Sequence, residues 1–332
     1  MSNVENAEQD DLHFKLLTLY DCIDKIMPLM KTPDIYEIYA NADGRIWTLS
    51  NAVGKKRTDI VMEPIEVRNI IQSVAALDDR IIDDVDPKLD AKIPGNPEFP
   101  MCRFHGTLPP TVLNPVMNIR KHSTVIFTLE DYLNQGTITK QQYDILVEAI
   151  RKKKNIIAAG GTGSGKTTLL NAILQEISKS PDRIISIEDT NELQCSAEDY
   201  VAMTAEEGVT MHSCVKQVLR MTPKRIVVGE VRGEEALDLL TAWSTGHKGG
   251  CCTVHSNDAV NTLTRLVDMT SRVTINPQPR TIAEAIDIIL YIRFDDNHNK
   301  RWIEDIISID GYEAKEDKFL YHKLCDTVRL PG

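Results

Sequence analysis

Nine consecutive residues constrain this 332-residue chain more than any other stretch: Gly160, Gly161, Thr162, Gly163, Ser164, Gly165, Lys166, Thr167 and Thr168. They satisfy the pattern of a glycine, four free positions, then Gly-Lys-Ser/Thr, and the flanks supply the context that pattern needs. Residues 156–159 read as a short apolar strand. After the run, Leu169, Leu170, Ile173, Leu174 and Ile177 recur on one face of a helix that Pro181 stops. A strand, a glycine loop and a helix in this order make an anion cradle. Glycines let the backbone approach phosphate oxygens, successive N–H groups point at them, and the helix N-terminus adds partial positive charge. Lys166 is expected to reach the β- and γ-phosphates of a bound nucleotide, and the Thr167 hydroxyl to ligate Mg²⁺. A merely flexible Gly/Ser loop predicts neither the Lys-Thr pair nor its frame.

From Asn155 onward, apolar strands alternate with helical stretches, the signature of a mostly parallel α/β sheet. Ligands of such sheets bind beyond the carboxyl ends of the strands. Three later strand candidates end in polar residues: Glu188-Asp189 after residues 184–187, Glu230-Val-Arg232 after 225–229, and His255 after 250–254. An acid after an apolar strand can hold Mg²⁺ or orient the attacking water. Glu188 and Glu230 are therefore candidates for both catalysis and metal binding, and spacing leaves open which does which. His247, Cys251, Cys252 and His255 also invite a zinc reading. Adjacent strand cysteines point to opposite faces, so phosphate sensing or an interface contact by a histidine is preferred.

The first 127 residues differ in character. Residues 1–11 are polar and acidic and read as a disordered tip; Leu12, Leu16, Leu19, Ile23, Met27 and Met30 then follow helical spacing up to Pro28 and Pro33. Residues 35–40 and 45–49 flank Asn41-Ala-Asp-Gly44, a hairpin signal, and Pro64 opens a helix carrying Ile70, Ile71, Val74 and Leu77. Seven prolines between 87 and 115 imply irregular chain with short strands. This is a small α+β domain, 1–127 with its linker, before a P-loop domain at 128–332. Thr139 with Gln142 makes a capping box at the start of a helix that ends in Arg151-Lys-Lys-Lys154, a basic run complementing the helix dipole.

Acidic residues outnumber basic ones on both sides of residue 127, for a net charge of −11, so strong direct binding of nucleic acid is not expected. An aromatic share of 5% leaves little to stack bases on. No basic leader and no apolar run of about 18 residues are present. Seven cysteines, an odd number without a Cys-x-x-Cys pair, suit reduced thiols. The expected location is cytoplasmic, or at most peripheral to a membrane.

The four segments 160–168, 187–193, 225–233 and 245–255 stand in the order of the Walker A, Asp box, Walker B and His box of the type II/type IV secretion traffic ATPases, which the chain resembles from about Pro33 onward. Residues 192–195, 235–240 and the His box look most like the conjugal-transfer members. The resemblance implies a RecA-like P-loop domain behind a smaller α+β domain, with subunits in a homohexameric ring. It also implies ATP bound between the two domains, hydrolysis that shifts them about 120–128, and partners in the inner-membrane part of a secretion or conjugation apparatus. Arg103, in Arg-Phe-His-Gly106, and Arg120, in Asn-Ile-Arg-Lys121, sit in segments similar to those whose arginines approach the γ-phosphate. The catalytic set it implies is Lys166, Glu188, Glu230, His255, Arg103 and Arg120, with Arg220 and Arg232 beside Walker B. Lys224 and Lys248 depart from the family pattern. Three other readings are a pilus retraction or assembly motor, a nucleotide-gated scaffold without turnover, and a DNA-pumping motor.

Overall fold

Ile156 and Ala158 point into one hydrophobic core while Ile157 and Ala159 point into another. A strand covered on both faces has no solvent side, so it reads as a continuous apolar run rather than an alternation. The computed structural model describes residues 3–122, 126–206, 208–274, 278–295 and 298–328. The chain divides into two compact units, Met1–Thr124 and Val125–Gly332.

The first unit runs α1 (Asn3–Cys22), α2 (Met27–Lys31), β1 (Ile35–Ala40), β2 (Arg45–Ser50), β3 (Gly54–Val61), α3 (Pro64–Leu77), β4 (Lys88–Ile93), β5 (Cys102–Thr107) and β6 (Val116–Lys121). Its six strands pair antiparallel in the order β3-β2-β1-β6-β5-β4. Ile70, Ile71 and Val74 of α3 join Leu19 of α1 and Ile23, just after it, over the inward residues Ile38, Ile46, Phe104 and Ile119. Glu63 and Glu66 cap α3 reciprocally, with Pro64 in its first turn.

Two expectations are corrected. The tip read as disordered is helical from Asn3: Glu5, Ala7, Glu8 and Gln9 are good helix formers, and no glycine or proline interrupts them. On that helix Leu12, Phe14 and Leu17 are exposed and Leu19 is buried. Pro28, read as a helix end, instead occupies the first turn of α2, where its missing N–H costs nothing.

The second unit runs α4 (Leu129–Asn134), α5 (Lys140–Arg151), β7 (Ile156–Gly160), α6 (Lys166–Ile177), β8 (Ile184–Glu188), β9 (Tyr200–Thr204), α7 (Met211–Val218), β10 (Arg225–Val231), α8 (Glu235–Ser244), β11 (Cys251–His255), α9 (Asn261–Ser271), α10 (Pro279–Ala285), β12 (Ile288–Asp295), β13 (Lys300–Glu313) and β14 (Lys318–Lys323). The sheet order is β14-β13-β12-β7-β11-β10-β8-β9. The six strands from β12 to β9 are parallel, and β13 and β14 close one edge antiparallel. Helices α4, α5 and α6 cover one face, and α7 to α10 cover the other around Trp243, Leu239 and Leu263. The chain is thus a mixed α/β protein with its parallel sheet sandwiched between helices. Among the described residues, no helix is long and apolar enough to cross a membrane.

The basic run after α5 is tied into this unit. Arg151 and Lys152 pair with Glu148, Lys153 with Asp182, and Lys154 with Asp287.

Candidate active site

The sheet places four polar groups in a row. Strand β11 lies between β7 and β10, with His255 in register with Gly160; Val228 of β10 is in register with Ile187 of β8. The carboxyl ends of β7, β11, β10 and β8 therefore present, side by side, the glycine loop, His255, Glu230 and Glu188. This is the sheet edge where parallel α/β proteins bind ligands.

The loop is shaped by what its glycines allow. Gly165 caps α6 with φ of +93°, a left-handed conformation that other residues adopt only with strain. Gly160 lies against the neighbouring strand: a Cβ there would come within 2.6 Å of the Ile292 carbonyl oxygen. Ser164 is buried and its hydroxyl donates to the Gly161 carbonyl at 2.9 Å, and Lys166 Nζ donates to the same oxygen at 2.8 Å. Thr167 and Thr168 are half-buried at the start of α6, and the Thr167 hydroxyl makes no hydrogen bond among the described residues. The unpaired N–H groups of the first helical turn, Lys166 and that hydroxyl suit a phosphate chain with a divalent cation.

Glu188 is 2% exposed. Its Oε2 accepts from the Glu192 and Leu193 N–H groups at 2.7 and 2.9 Å, while Oε1 is buried with no hydrogen-bond partner among the described residues. Burial pushes this carboxyl up to about 7, against the two N–H groups that pull it down. A buried carboxyl with one free oxygen fits a group that meets a proton, a water or a cation. The segment after β8 is pinned to the helix behind the loop: Asn171 of α6 donates to the Glu192 carbonyl and accepts from the Gln194 N–H. The Walker A helix and the Asp box therefore hold each other in place.

Glu230 is handled differently. The Arg232 guanidinium bridges it to Asp189, 3.0 Å away. Glu235 then accepts from the Arg232 and Gly233 N–H groups at 2.6 and 2.9 Å, closing the turn into α8. The Thr253 hydroxyl donates to the Gly229 carbonyl at 2.7 Å, tying β11 to β10 just below the acids.

Other residues singled out in the sequence are dispersed. Residues 245–250 precede β11, and the Gly250 carbonyl accepts from Ile156 N–H at the start of β7. His247 is thus separated from His255 by a whole strand, about 13 Å at ~3.3 Å per residue. Cys251 and Cys252 are buried on opposite faces, one in each core, where burial pushes the Cys251 thiol up to about 12 and the Cys252 thiol well above its ordinary value. Arg220, matched above to the surroundings of Walker B, lies at the opposite pole of the sheet from Glu230. There it lines a cleft of about 520 Å³ with Lys153, Lys224, His247 and Lys248. Arg103 and Arg120 belong to the first unit, on β5 and β6.

One residue near the loop carries no sequence signal. Arg301 of β13 donates to the Gly163 carbonyl from Nη2 at 3.2 Å and from Nε at 3.4 Å. Its position depends on β12 pairing with β7, a contact between elements far apart in the chain.

Residues 36–326 match the family described as "Type II/IV secretion system protein". The conjugal transfer protein TrbB of Rhizobium radiobacter is 36% identical over 291 residues, covering 87% of this chain and 88% of that protein. A probable conjugal transfer protein TrbB of Sinorhizobium fredii is 35% identical over 304 residues, covering 89% and 91%. The X-ray structure of the Legionella pneumophila ATPase DotB shares the fold with a TM-score of 0.63 at 20% identity, covering 86% of this chain and 80% of that one. With the glycine loop, the two strand-end glutamates and His255 in one row, and similarity along most of its length, the chain belongs to the type II/IV secretion system protein family.

Proposed function

We propose that this protein is a Mg²⁺-dependent ATPase that powers substrate transfer or pilus assembly at a bacterial type IV secretion or conjugation apparatus. The observation that carries the reading is the row of strand ends, in which a glycine loop with its Lys-Thr pair shares one edge with two carboxylates. Similarity to conjugal transfer proteins over most of the chain supports the setting. The protein works as a homohexamer in the cytoplasm, peripheral at the inner membrane through components of the apparatus.

Lys166 and the N–H groups of residues 160–168 bind and orient the phosphates. Thr167 with the strand-end carboxylates would hold Mg²⁺, which supplies charge neutralisation on the phosphates when bound. Glu188, buried and raised to about 7, is suited to take the proton of the attacking water; Glu230, paired with Arg232, is suited to the cation side. His255, between loop and acids, senses the γ-phosphate, and Arg103 and Arg120 meet the charge that develops on it. Positioning and electrostatics supply nearly all of the catalysis.

Phosphate release with matched nucleotide binding tests the reading. Glu230→Gln is expected to keep ATP binding and lose hydrolysis. A wild-type protein that binds Mg-ATP without turning it over refutes the enzyme and leaves a nucleotide-gated scaffold.

A further inference from the structure

Arg301 touches the phosphate loop from outside. Strand β12 runs parallel to β7 with Ile292 beside Gly160, and β13 returns antiparallel with Arg301 directly opposite Phe294. The guanidinium carbon lies 4.1 Å from the centroid of the Phe294 ring, so the planar group rests on the aromatic face. From there it donates twice to the Gly163 carbonyl, at 3.2 and 3.4 Å. Its Cδ passes 3.3 Å from where a Cβ on Gly165 would be.

A phosphate cradle works only if its peptides keep their N–H groups on the ligand side. Gly163 and Gly165 both have positive φ, at +71° and +93°, in a loop free of side-chain bulk at those positions. Glycine peptides of this kind rotate at little steric cost, so the orientation has to be held by bonds. The two ends of the loop are held by different cations: Lys166 bonds the Gly161 carbonyl and Arg301 bonds the Gly163 carbonyl. Charge-assisted donors are stronger than neutral ones, and the Phe294 platform limits the rotamers open to Arg301.

We propose that Arg301, seated on Phe294, is a positioning residue that fixes the Gly163 peptide and so keeps the phosphate loop in its anion-receiving shape. The proposal rests on the nucleotide-binding reading of the loop. The ligand it serves is the diphosphate portion of the nucleotide, not the base or the sugar.

Calorimetry on the full chain separates these cases, with Mg-ADP and inorganic pyrophosphate as probes, alongside kcat, KM for ATP and Tm. Arg301→Ala is expected to raise Kd for both probes by the same factor, about tenfold, the scale of one lost charge-assisted hydrogen bond. KM should rise in parallel and Tm should stay put. Arg301→Lys, which keeps the charge on a single donor nitrogen but cannot lie flat on a ring, should recover part of the loss. Phe294→Leu should shift both Kd values the same way by less. Loss of ADP affinity with pyrophosphate unaffected would place Arg301 on the nucleoside and overturn the proposal. So would unchanged affinities, or a Tm drop that accounts for the loss. Wild-type protein that binds neither probe overturns the nucleotide reading itself.

Discussion

Arg103 and Arg120 stand directly opposite each other on neighbouring antiparallel strands. Their strands alternate, with Cys102, Phe104 and Ile119 buried in the core and the two arginines on the other face. Like charges in register across a sheet oppose strand pairing, and Glu37, in register with Arg120 on β1, partly offsets this. Arg120 is exposed on the face of β6 away from the core, so folding of the first unit gains little from its side chain. Arg120→Ala is therefore expected to leave Tm unchanged or slightly higher, while kcat for ATP falls by at least about tenfold and ADP affinity changes by less than about twofold. Equal losses in kcat and affinity, or no loss in either, would reject a role for Arg120 in the transition state.

Glu188 makes stability depend on pH in a direction opposite to that of most carboxylates. Its carboxyl is held up at about 7 against an ordinary 4.5. A raised value in the folded protein favours the fold below the unfolded value, and that contribution is lost as pH rises through the folded one. A displacement of this size is worth roughly 3 kcal/mol across the window. Glu188→Gln cannot ionise, so urea denaturation between pH 5 and pH 8 should show a smaller decline for the variant than for wild type. Parallel curves for the two proteins would remove the linkage. The same substitution should abolish the rise of kcat through about pH 7 if Glu188 takes the proton from water.

Local motifs were legible in the sequence and neighbour relations were not. The glycine loop, Glu188, Glu230 and His255 follow from residue types a few positions apart, each at the end of an apolar run. That His255 stands between the loop and Glu230 follows from β11 inserting between β7 and β10, which no local spacing encodes. The same holds for Arg301, which reaches Gly163 through pairing across 138 positions. Strand β9 was not foreseen because the apolar run of Tyr200–Thr204 is short and its place as a half-exposed edge strand beside β8 is a neighbour relation. Residues 245–250 read together with His255 because they are close in sequence, yet an extended strand carries them to opposite ends of the sheet.

The buried pair Arg225–Asp182 should be costly to break. The Arg225 side chain is 3% exposed, and its guanidinium donates to Asp182 at 2.8 Å and to the carbonyls of Ile150 and Gly249. Asp182 also receives Lys153 at 2.6 Å, and these two cations hold its carboxyl below the usual range although burial raises it. Asp182→Ala leaves a charge buried with only neutral acceptors, an effect of about 3 to 5 kcal/mol. Urea unfolding at neutral pH measures it directly, and a loss under about 1 kcal/mol would mean that water reaches Arg225.

Gly160 and Gly161 open the same loop but should tolerate alanine very differently. A Cβ on Gly160 would lie 2.5 Å from Ser164 Oγ and 2.6 Å from the Ile292 carbonyl oxygen. That carbonyl belongs to β12, whose backbone cannot retreat without opening its ladder with β7. A Cβ on Gly161 meets nothing within 4 Å. Gly160→Ala should cost about 2 kcal/mol of stability and more than about tenfold in ADP affinity, because the clash displaces both the strand end and the loop. Gly161→Ala should keep Tm and hold ADP affinity within about twofold. If Gly161→Ala instead loses affinity at unchanged Tm, a phosphate approaches that backbone more closely than a side chain permits, and Gly161 serves the ligand while Gly160 serves the fold.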